Sequence, residues 1–287
     1  MATVLCVLYP DPQAGYPPQY VRDGIPTVPW DVDGEPAPTP EPPLGFTPGQ
    51  LVGCVSGELG LRPYLEGAGH ELIVTSDKEG PDSEFERHLP EADVVISQPF
   101  WPAYLTAERI AKAKRLKLAL TAGIGSDHVD LDAASKAGIT VAEVTGSNSV
   151  SVAEHTVMMI LSAVRNYLPS HTTATNGLWN IADCVERAYD VQGLQYGAVG
   201  AGRIGRAVLE RLKPFGLGLH YHQRHQLPAD VERDLGLTFH PDLAEMVPQM
   251  DIVSLQIPLY PATRNLFDDA LLATAKRGLY LVNCGRA

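Results

Sequence analysis

The chain contains 287 residues, of which 45% are hydrophobic and 20% are charged. A chain of this length is expected to form two domains, and its composition is that of a globular protein rather than of a disordered or membrane-embedded one. The formal net charge of −12 at pH 7 argues against nucleic acid or an anionic membrane as a partner.

The cysteines and the N-terminus predict a cytoplasmic protein. The four cysteines follow neither C-x-x-C nor Cys/His metal spacing, so we expect no disulfide framework and no metal site. The N-terminus has neither the basic start of a secretion signal nor an Arg/Ser-rich leader, and no segment has the length of a membrane span.

The first part of the chain predicts an α/β unit. Thr3 to Tyr9 is predicted as a buried strand, and residues 10–48 are too rich in Pro and Gly for regular structure, so we expect them to wrap over a surface. Helices and strands then alternate, which predicts a doubly wound parallel sheet. The predicted helices are 59–66, 83–89, 107–113 and 130–136, and the predicted strands are 71–75, 92–97, 116–121 and 140–144.

A long apolar helix is predicted from Ser149 to Leu168, with Ser149 as its cap and Glu154 in its first turns. We expect this helix to join the first α/β unit to a second one. Its apolar surface also suits a homodimer contact.

The stretch from Leu194 to Gly205 predicts a strand, a tight turn and the start of a helix. Gly200, Gly202 and Gly205 have G-x-G-x-x-G spacing, which closes the turn and brings backbone N–H groups up to a pyrophosphate. A glycine turn that serves close packing alone is the alternative. The amphipathic helix and the strand at 217–222 that follow complete a βαβ unit and favour dinucleotide binding.

The end of that second strand indicates which dinucleotide binds. An NAD site usually places Asp or Glu there, whereas this chain has Gln223, followed by Arg224 and His225. No carboxylate repels a 2′-phosphate, and the Arg224 guanidinium can pair with one, so we expect NADP as the cofactor, with NAD possible. A merely solvated strand end is the alternative.

The second unit continues with predicted strands at 235–239, 251–257 and 279–283 and predicted helices at 242–247 and 268–276. The chain stops at Ala287, just after a strand, where an open α/β sheet normally continues, so we expect this unit to be incomplete at its C-terminus. Polar or irregular stretches follow five predicted strands and are expected to form a ligand site: 98–102, 122–128, 145–149, 258–261 and 283–286.

Four stretches of the sequence, three of which overlap these strand ends, resemble one family. They are Val94 to Thr106, which contains Gln-Pro-Phe-Trp-Pro, Leu118 to Leu131, which contains Thr-Ala-Gly-Ile-Gly-Ser-Asp-His, Asn-Ser-Val-Ser-Val-Ala-Glu-His at 148–155 and Arg-Asn-Tyr-Leu-Pro-Ser-His at 165–171. They closely resemble the metal-free, nicotinamide-dependent formate dehydrogenases of the D-specific 2-hydroxy acid dehydrogenase superfamily. The resemblance covers essentially the whole chain, including the Pro-rich wrap.

The resemblance implies oxidation of formate to carbon dioxide with hydride transfer to C4 of the nicotinamide; with Gln223 in place of an acidic residue, we expect the acceptor to be NADP. It assigns the formate contacts to Arg286, Asn148 and Ile124, with Gly125 beside them and with Pro99 and Phe100 keeping water out. It assigns the cofactor contacts to Ser149, Arg203, Ile204, Gln223, Pro258 and Cys284. These add to the candidates from the glycine motif and the strand end, which are Gly200, Gly202, Gly205, Arg224 and His225. Residues 1–148 would form the formate-binding domain and 149–287 the dinucleotide-binding Rossmann domain.

Three departures from the family pattern stand out. Gln223 replaces the aspartate of NAD-dependent members, and Asn-Cys-Gly-Arg at 283–286 replaces Asn-Thr-Ala-Arg. The family's catalytic His and its Gln partner lie downstream of residue 287, which indicates a C-terminally truncated chain. Two alternatives therefore remain open: a glyoxylate or hydroxypyruvate reductase, and a catalytically silent protein that binds NADP or dimerises.

Overall fold

The computed structural model describes residues 1–8, 61–98 and 101–285. The chain divides into two units, Met1–Thr145 and Gly146–Ala287, hereafter unit 1 and unit 2. The expected wrap at 10–48 and the candidate residues Pro99, Phe100 and Arg286 lie outside the described ranges.

Unit 1 contains a five-stranded sheet in the order β2-β1-β3-β4-β5, and all its strand pairs are parallel. Its strands are β1 (Thr3–Val7), β2 (Glu71–Thr75), β3 (Val94–Ser97), β4 (Leu118–Thr121) and β5 (Thr140–Glu143). Its helices are α1 (Leu61–Gly67), α2 (Glu84–His88), α3 (Ala107–Lys112) and α4 (Leu131–Lys136).

Unit 2 contains a second five-stranded parallel sheet, in the order β10-β9-β6-β7-β8. Its strands are β6 (Gln195–Val199), β7 (Gly218–His222), β8 (Leu237–His240), β9 (Ile252–Leu255) and β10 (Tyr280–Asn283). Its helices are α5 (Ser149–Val164), α6 (Tyr167–Thr175), α7 (Ile181–Val185), α8 (Arg203–Leu212), α9 (Ala229–Leu235), α10 (Leu243–Met246) and α11 (Asp269–Leu272).

Both sheets bury side chains on both faces, as parallel sheets covered by helices do. In β1, Leu5 and Val7 join the cluster under α2 to α4, whereas Val4 and Cys6 join the cluster that contacts Leu61 of α1. Successive side chains of a strand point to opposite faces, so each residue of β1 is buried. The prediction of two doubly wound parallel α/β units is confirmed.

An aspartate fastens the start of each sheet in the same way. Asp93, just before β3, accepts a hydrogen bond from the Thr3 N–H of β1 at 2.9 Å and pairs with Arg115 at 2.8 Å. Asp251, just before β9, accepts from the Gln195 N–H of β6 at 2.8 Å and pairs with Lys276 at 2.7 Å. Each carboxylate thereby satisfies an N–H at the first residue of a central strand.

The long helix differs from the prediction in its length and its cap. The helix α5 ends at Val164, and Asn166, with φ of 54°, separates it from α6. Pro169 lies in the first turn of α6, where its missing N–H is tolerated, whereas in a continuous helix it would clash with the Arg165 carbonyl. The residue before α5 is Asn148 and not Ser149, and its side chain makes no capping bond within the described chain.

The helix α5 lies in unit 2, where it packs against α8 and β10. The helices α6, α7 and α9 were not predicted. Within the described ranges, no helix is both long and apolar enough to cross a membrane.

Candidate active site

The glycine turn of unit 2 has the geometry that its spacing predicts. Gly200, directly after β6, has φ of 94°, a conformation that side chains other than glycine rarely adopt. A Cβ on Gly205 would lie 2.0 Å from the Gly200 carbonyl oxygen, so the first turn of α8 packs directly on the strand end. By contrast, a Cβ on Gly202 would meet nothing within 4 Å among the described residues. The turn is therefore closed at Gly205 and open at Gly202.

The start of α8 fits a pyrophosphate. The helix begins at Arg203 after Gly202 and has no acidic residue in its first turn. The first N–H groups of a helix have no intrahelical acceptor, and the helix dipole places partial positive charge there. Bare backbone at Gly202 leaves room for an anion to approach these N–H groups, including those of Arg203 and Ile204.

Gln223, at the end of β7, is held against the glycine turn. Its Oε1 accepts a hydrogen bond from the Ala201 N–H at 3.2 Å, and its Nε2 donates to the His225 carbonyl at 2.6 Å. The side chains of Arg224 and His225 are exposed beside it. The structure thus brings the predicted residue Gln223 next to the predicted glycine turn. Its contact residue in that turn, Ala201, lies 22 residues earlier in the sequence.

Two further cofactor candidates lie after neighbouring strands of the same sheet. Pro258 follows β9, and its carbonyl accepts a hydrogen bond from the Thr263 hydroxyl at 2.6 Å. Cys284 follows β10, and its thiol lies 3.7 Å from the Met159 sulfur of α5. Because a thiol is a weak hydrogen-bonding group, Cys284 can offer a cofactor only a weak polar contact.

The start of α5 contains two buried polar atoms that lack a partner within the described residues. They are Oδ1 of Asn148 and Oγ of Ser149. Buried polar atoms are normally hydrogen-bonded, and a missing partner often marks a place for a ligand or water. Both residues are sequence-predicted candidates, one for formate and one for the cofactor. The free Ser149 hydroxyl can donate or accept, whereas the free Asn148 Oδ1 can only accept, so a formate carboxylate would have to be bound by the Nδ2 of that amide.

In unit 1, the candidates Ile124 and Gly125 lie in the loop after β4. Gly125 has φ of 96°, and its N–H donates to Glu143 Oε2 at 2.7 Å. Thr145 Oγ1 donates to the other carboxylate oxygen at 3.2 Å. Glu143, which holds this loop, was missed in the sequence. The available signal was a carboxylate at the last position of a strand, at the edge where parallel sheets bind ligands.

No group of three or more His, Cys, Asp or Glu side chains suited to a metal ion occurs in the described part of the chain. The described candidates form two sets. One lies around the turn after β6 and at the start of α5 in unit 2, and the other lies after β4 in unit 1.

Comparison with known protein families shows which proteins share this sequence. The family model of the D-isomer specific 2-hydroxyacid dehydrogenase NAD binding domain matches residues 157–287. A formate dehydrogenase from Pseudomonas sp. (strain 101) is 62% identical over 286 residues, which is 100% of this chain and 71% of the relative. The chloroplastic/mitochondrial formate dehydrogenase of Arabidopsis thaliana is 54% identical over 236 residues, 82% of this chain and 62% of the relative.

Solved structures agree. A formate dehydrogenase from Granulicella superposes with a TM-score of 0.85 at 64% identity, covering 100% of this chain and 76% of that one. An NAD-dependent formate dehydrogenase from Staphylococcus aureus, in complex with NAD, gives a TM-score of 0.75 at 37% identity over 99% of this chain and 74% of that one. The chain spans 62% to 71% of the length of the two curated relatives named above.

The resemblance seen in the sequence is therefore confirmed, and unit 2 carries the NAD binding domain of the superfamily. Because its sequence is 62% identical to a formate dehydrogenase over 286 residues and its glycine turn has the geometry of a dinucleotide site, the chain belongs to the formate dehydrogenases, oxidoreductases of the D-isomer specific 2-hydroxyacid dehydrogenase superfamily.

Proposed function

We propose that the protein oxidises formate to carbon dioxide and transfers the hydride to NADP⁺, with NAD⁺ as a poorer acceptor. The observation that carries this proposal is the 62% identity to a formate dehydrogenase over 286 residues, together with Gln223 in place of an acidic residue. When bound, the nicotinamide accepts the hydride at C4.

The protein's own contribution to this reaction is positioning and electrostatics, because no proton moves to or from a substrate hydroxyl. Arg286 would clamp the formate carboxylate and Asn148 would donate its amide to it, with Ile124 and Gly125 beside it. The contact from Asn148 would come from its Nδ2, since the Oδ1 that is buried and unpartnered in the described chain can only accept. Pro99 and Phe100 would exclude water, which strengthens each charge interaction.

The cofactor would lie along the carboxyl edge of the second sheet. Its pyrophosphate would bind over Gly202 at the start of α8, near Arg203 and Ile204, because that surface is open and electropositive. The exposed Arg224 and His225 would receive the adenosine 2′-phosphate. The further contacts proposed from the family pattern are Ser149, Pro258 and Cys284.

Formate-dependent formation of NADPH tests the activity. It is measured on this chain and on a chain extended to the length of the Pseudomonas relative, since the present chain covers 71% of that length. NADPH formation by either chain supports the proposal. Absence of formate-dependent reduction of both NADP⁺ and NAD⁺ by both chains would overturn it.

Gln223→Asp tests the cofactor preference separately. The new carboxylate accepts from the ribose hydroxyl of NAD and repels a 2′-phosphate, so the ratio of NADP to NAD affinity should fall at least about tenfold. Gln249→Asp adds the same charge at an exposed residue outside the proposed cofactor contacts and is the control. Direct binding measurements read this ratio without turnover, and an unchanged ratio in Gln223→Asp would remove the role of this residue.

We further propose that the protein is a homodimer through the apolar surface of α5 to α7. Leu168, Leu178, Trp179 and Ile181 are 62% to 86% exposed, which is unusual for large apolar side chains in one region. Trp179→Glu should shift the molar mass measured by light scattering toward the monomer. Tyr64→Glu, at a residue of unit 1 that is 75% exposed, is the control. A monomeric unaltered protein would contradict the proposal.

A further inference from the structure

A buried tyrosine anchors the segment that follows β7. The ring of Tyr221 is fully buried and packs against Phe239 with ring centroids 5.2 Å apart. Its hydroxyl donates to Glu232 Oε1 of α9 at 2.5 Å and accepts from the Leu227 N–H at 2.8 Å. The Gln226 amide donates to both oxygens of Glu232, at 3.1 and 3.0 Å. Tyr221, Gln226, Leu227 and Glu232 are called the Tyr221 clamp below.

The clamp and Gln223 hold the two ends of one short segment. At its start, Gln223 bonds to the Ala201 N–H of the glycine turn and to the His225 carbonyl. At its end, the clamp ties Gln226 and Leu227 to the core through Tyr221 and to α9 through Glu232. Arg224 and His225 lie exposed between these two anchors. Their backbone is therefore held on both sides, while their side chains stay available.

The hydroxyl of Tyr221 stays protonated, and so remains a hydrogen-bond donor, across the neutral pH range. Burial, together with the neighbouring Glu232 carboxylate, raises the pKa of Tyr221 to about 12. The hydroxyl keeps its proton below that pH, so the bond to Glu232 persists across the neutral range.

We propose that Tyr221 and Glu232 are positioning residues that hold Arg224 and His225 ready for a 2′-phosphate, and so determine the preference for a 2′-phosphorylated adenosine. This inference rests on the proposed NADP site. A segment fixed before binding loses less conformational entropy when it receives the ligand, and an Arg-phosphate pair depends on geometry more than a diffuse charge does. Releasing the clamp should therefore weaken the 2′-phosphate contact and leave the rest of the nucleotide site in place.

The experiment compares two small ligands, 2′,5′-ADP and 5′-AMP, which differ by the 2′-phosphate. Isothermal titration calorimetry gives their affinities for the unaltered chain and for Tyr221→Phe, which removes the hydroxyl and keeps the buried ring. We expect the preference for 2′,5′-ADP to fall about tenfold, through loss of 2′,5′-ADP affinity, while 5′-AMP affinity changes less than about twofold. A general loss of structure would lower both affinities together.

Tyr196→Phe is the matched control. Tyr196 is also fully buried, lies in the neighbouring strand β6 and bonds through its hydroxyl to Ser254 Oγ at 2.5 Å. This variant loses a buried hydroxyl of the same sheet away from the clamped segment. It should lower stability and keep the ligand preference.

Glu232 supplies a second, independent test that leaves the buried ring untouched. Glu232→Ala removes the acceptor of both Tyr221 and Gln226, so the preference should fall as in Tyr221→Phe. Glu232→Gln keeps one oxygen acceptor for both donors and should restore most of the preference.

The outcomes separate this inference from the proposed function. If the unaltered chain shows no preference for 2′,5′-ADP, the NADP site itself is wrong, and the inference falls with it. If the unaltered chain shows the preference and both Tyr221→Phe and Glu232→Ala retain it, the NADP site stands and the positioning role is wrong. The role is established if Tyr221→Phe and Glu232→Ala both lose the preference while Glu232→Gln and Tyr196→Phe keep it; a loss in only one of the first two contradicts the clamp as a unit.

Discussion

Two glycines of one turn serve different purposes, and each can be altered separately. Gly205 is required for packing, because a Cβ there would lie 2.0 Å from a backbone oxygen, which cannot turn aside as the end of a flexible side chain can. Gly202 has φ of −73°, which any residue adopts, and open space where a Cβ would lie. The fold therefore needs Gly205, whereas the proposed ligand needs Gly202.

Gly205→Ala should lower the free energy of unfolding by about 2 kcal/mol or more, since overpacking against backbone costs about 1 to 3 kcal/mol and occasionally more. Gly202→Ala should leave stability within about 0.5 kcal/mol and weaken binding of NADP⁺, because the added methyl group lies where the pyrophosphate approaches. Urea unfolding and calorimetric titration measure the two effects. Equal stability loss in both variants would contradict this division.

At the scale of elements, the same hydrogen-bonding arrangement stabilises the start of the first strand in each of the two sheets. In unit 1 an aspartate lies just before β3, and in unit 2 an aspartate lies just before β9. In each unit it accepts a hydrogen bond from the first N–H of the unit's first strand and forms an ion pair with an Arg or a Lys. The Asp93 pKa lies below its ordinary value because of the Thr3 N–H and Arg115. For Asp251, burial acts to raise the pKa, but the Gln195 N–H and Lys276 outweigh it and hold the pKa low.

Asp251→Asn should destabilise the protein by about 1 to 3 kcal/mol, because the hydrogen bond to a buried strand end loses its charge and the Lys276 pair is lost. The stabilising effect of Asp251 is fully present above its unfolded pKa near 3.8 and is lost as the pH falls through the lower folded pKa. Urea unfolding at neutral pH checks the magnitude. The exposed Asp269→Asn is the control, with an expected loss below about 1 kcal/mol.

At the scale of the molecule, unit 2 contains a hydrogen-bonded pair of imidazoles, the half-buried His220 and the buried His240. The Gln195 amide donates to the Gly193 carbonyl, so its oxygen accepts from His220 Nε2–H at 2.8 Å. His220 Nδ1 must then accept from His240 Nε2–H at 2.9 Å. A proton on His220 Nδ1 would set two N–H groups against each other. Burial, and then the other histidine, lower the pKa of His220.

The stability of unit 2 should therefore fall as the pH drops below about 6.5. The pKa of His240 is also lowered, by burial first and by His222, although Glu245 acts in the opposite direction. Because both folded pKa values lie below the ordinary 6.5, the unfolded chain takes up protons first, and stability is present in full above 6.5 and lost toward lower pH.

Hydrogen exchange of β7 and β8 between pH 8 and pH 5.5, corrected for the intrinsic pH dependence of exchange, measures this loss of stability. His220→Gln should reduce its pH dependence in this window. His88→Gln, at a half-exposed histidine of unit 1, should leave it unchanged. The interpretation fails if the unaltered protein is equally stable at both ends of the range.

The sequence by itself determined the fold class and the position of the glycine turn in the dinucleotide-binding unit, because both depend on local patterns. Alternating apolar runs predict parallel strands and covering helices, and the spacing of Gly200, Gly202 and Gly205 predicts a tight strand-to-helix turn. The presence of Gln223 where an NAD site usually has Asp or Glu can likewise be recognised from its position after the second strand. These signals need no knowledge of distant contacts.

The tertiary structure alone decided which residues support those sites. Nothing local marks Glu143 as the acceptor of the Gly125 N–H, or Glu232 and Tyr221 as a clamp, because their partners meet only after strands and helices pack. The end of α5 likewise depends on Asn166 adopting a left-handed conformation, which an uninterrupted apolar pattern does not reveal. Propensity and periodicity describe one segment at a time, whereas hydrogen-bond partners are chosen by the fold.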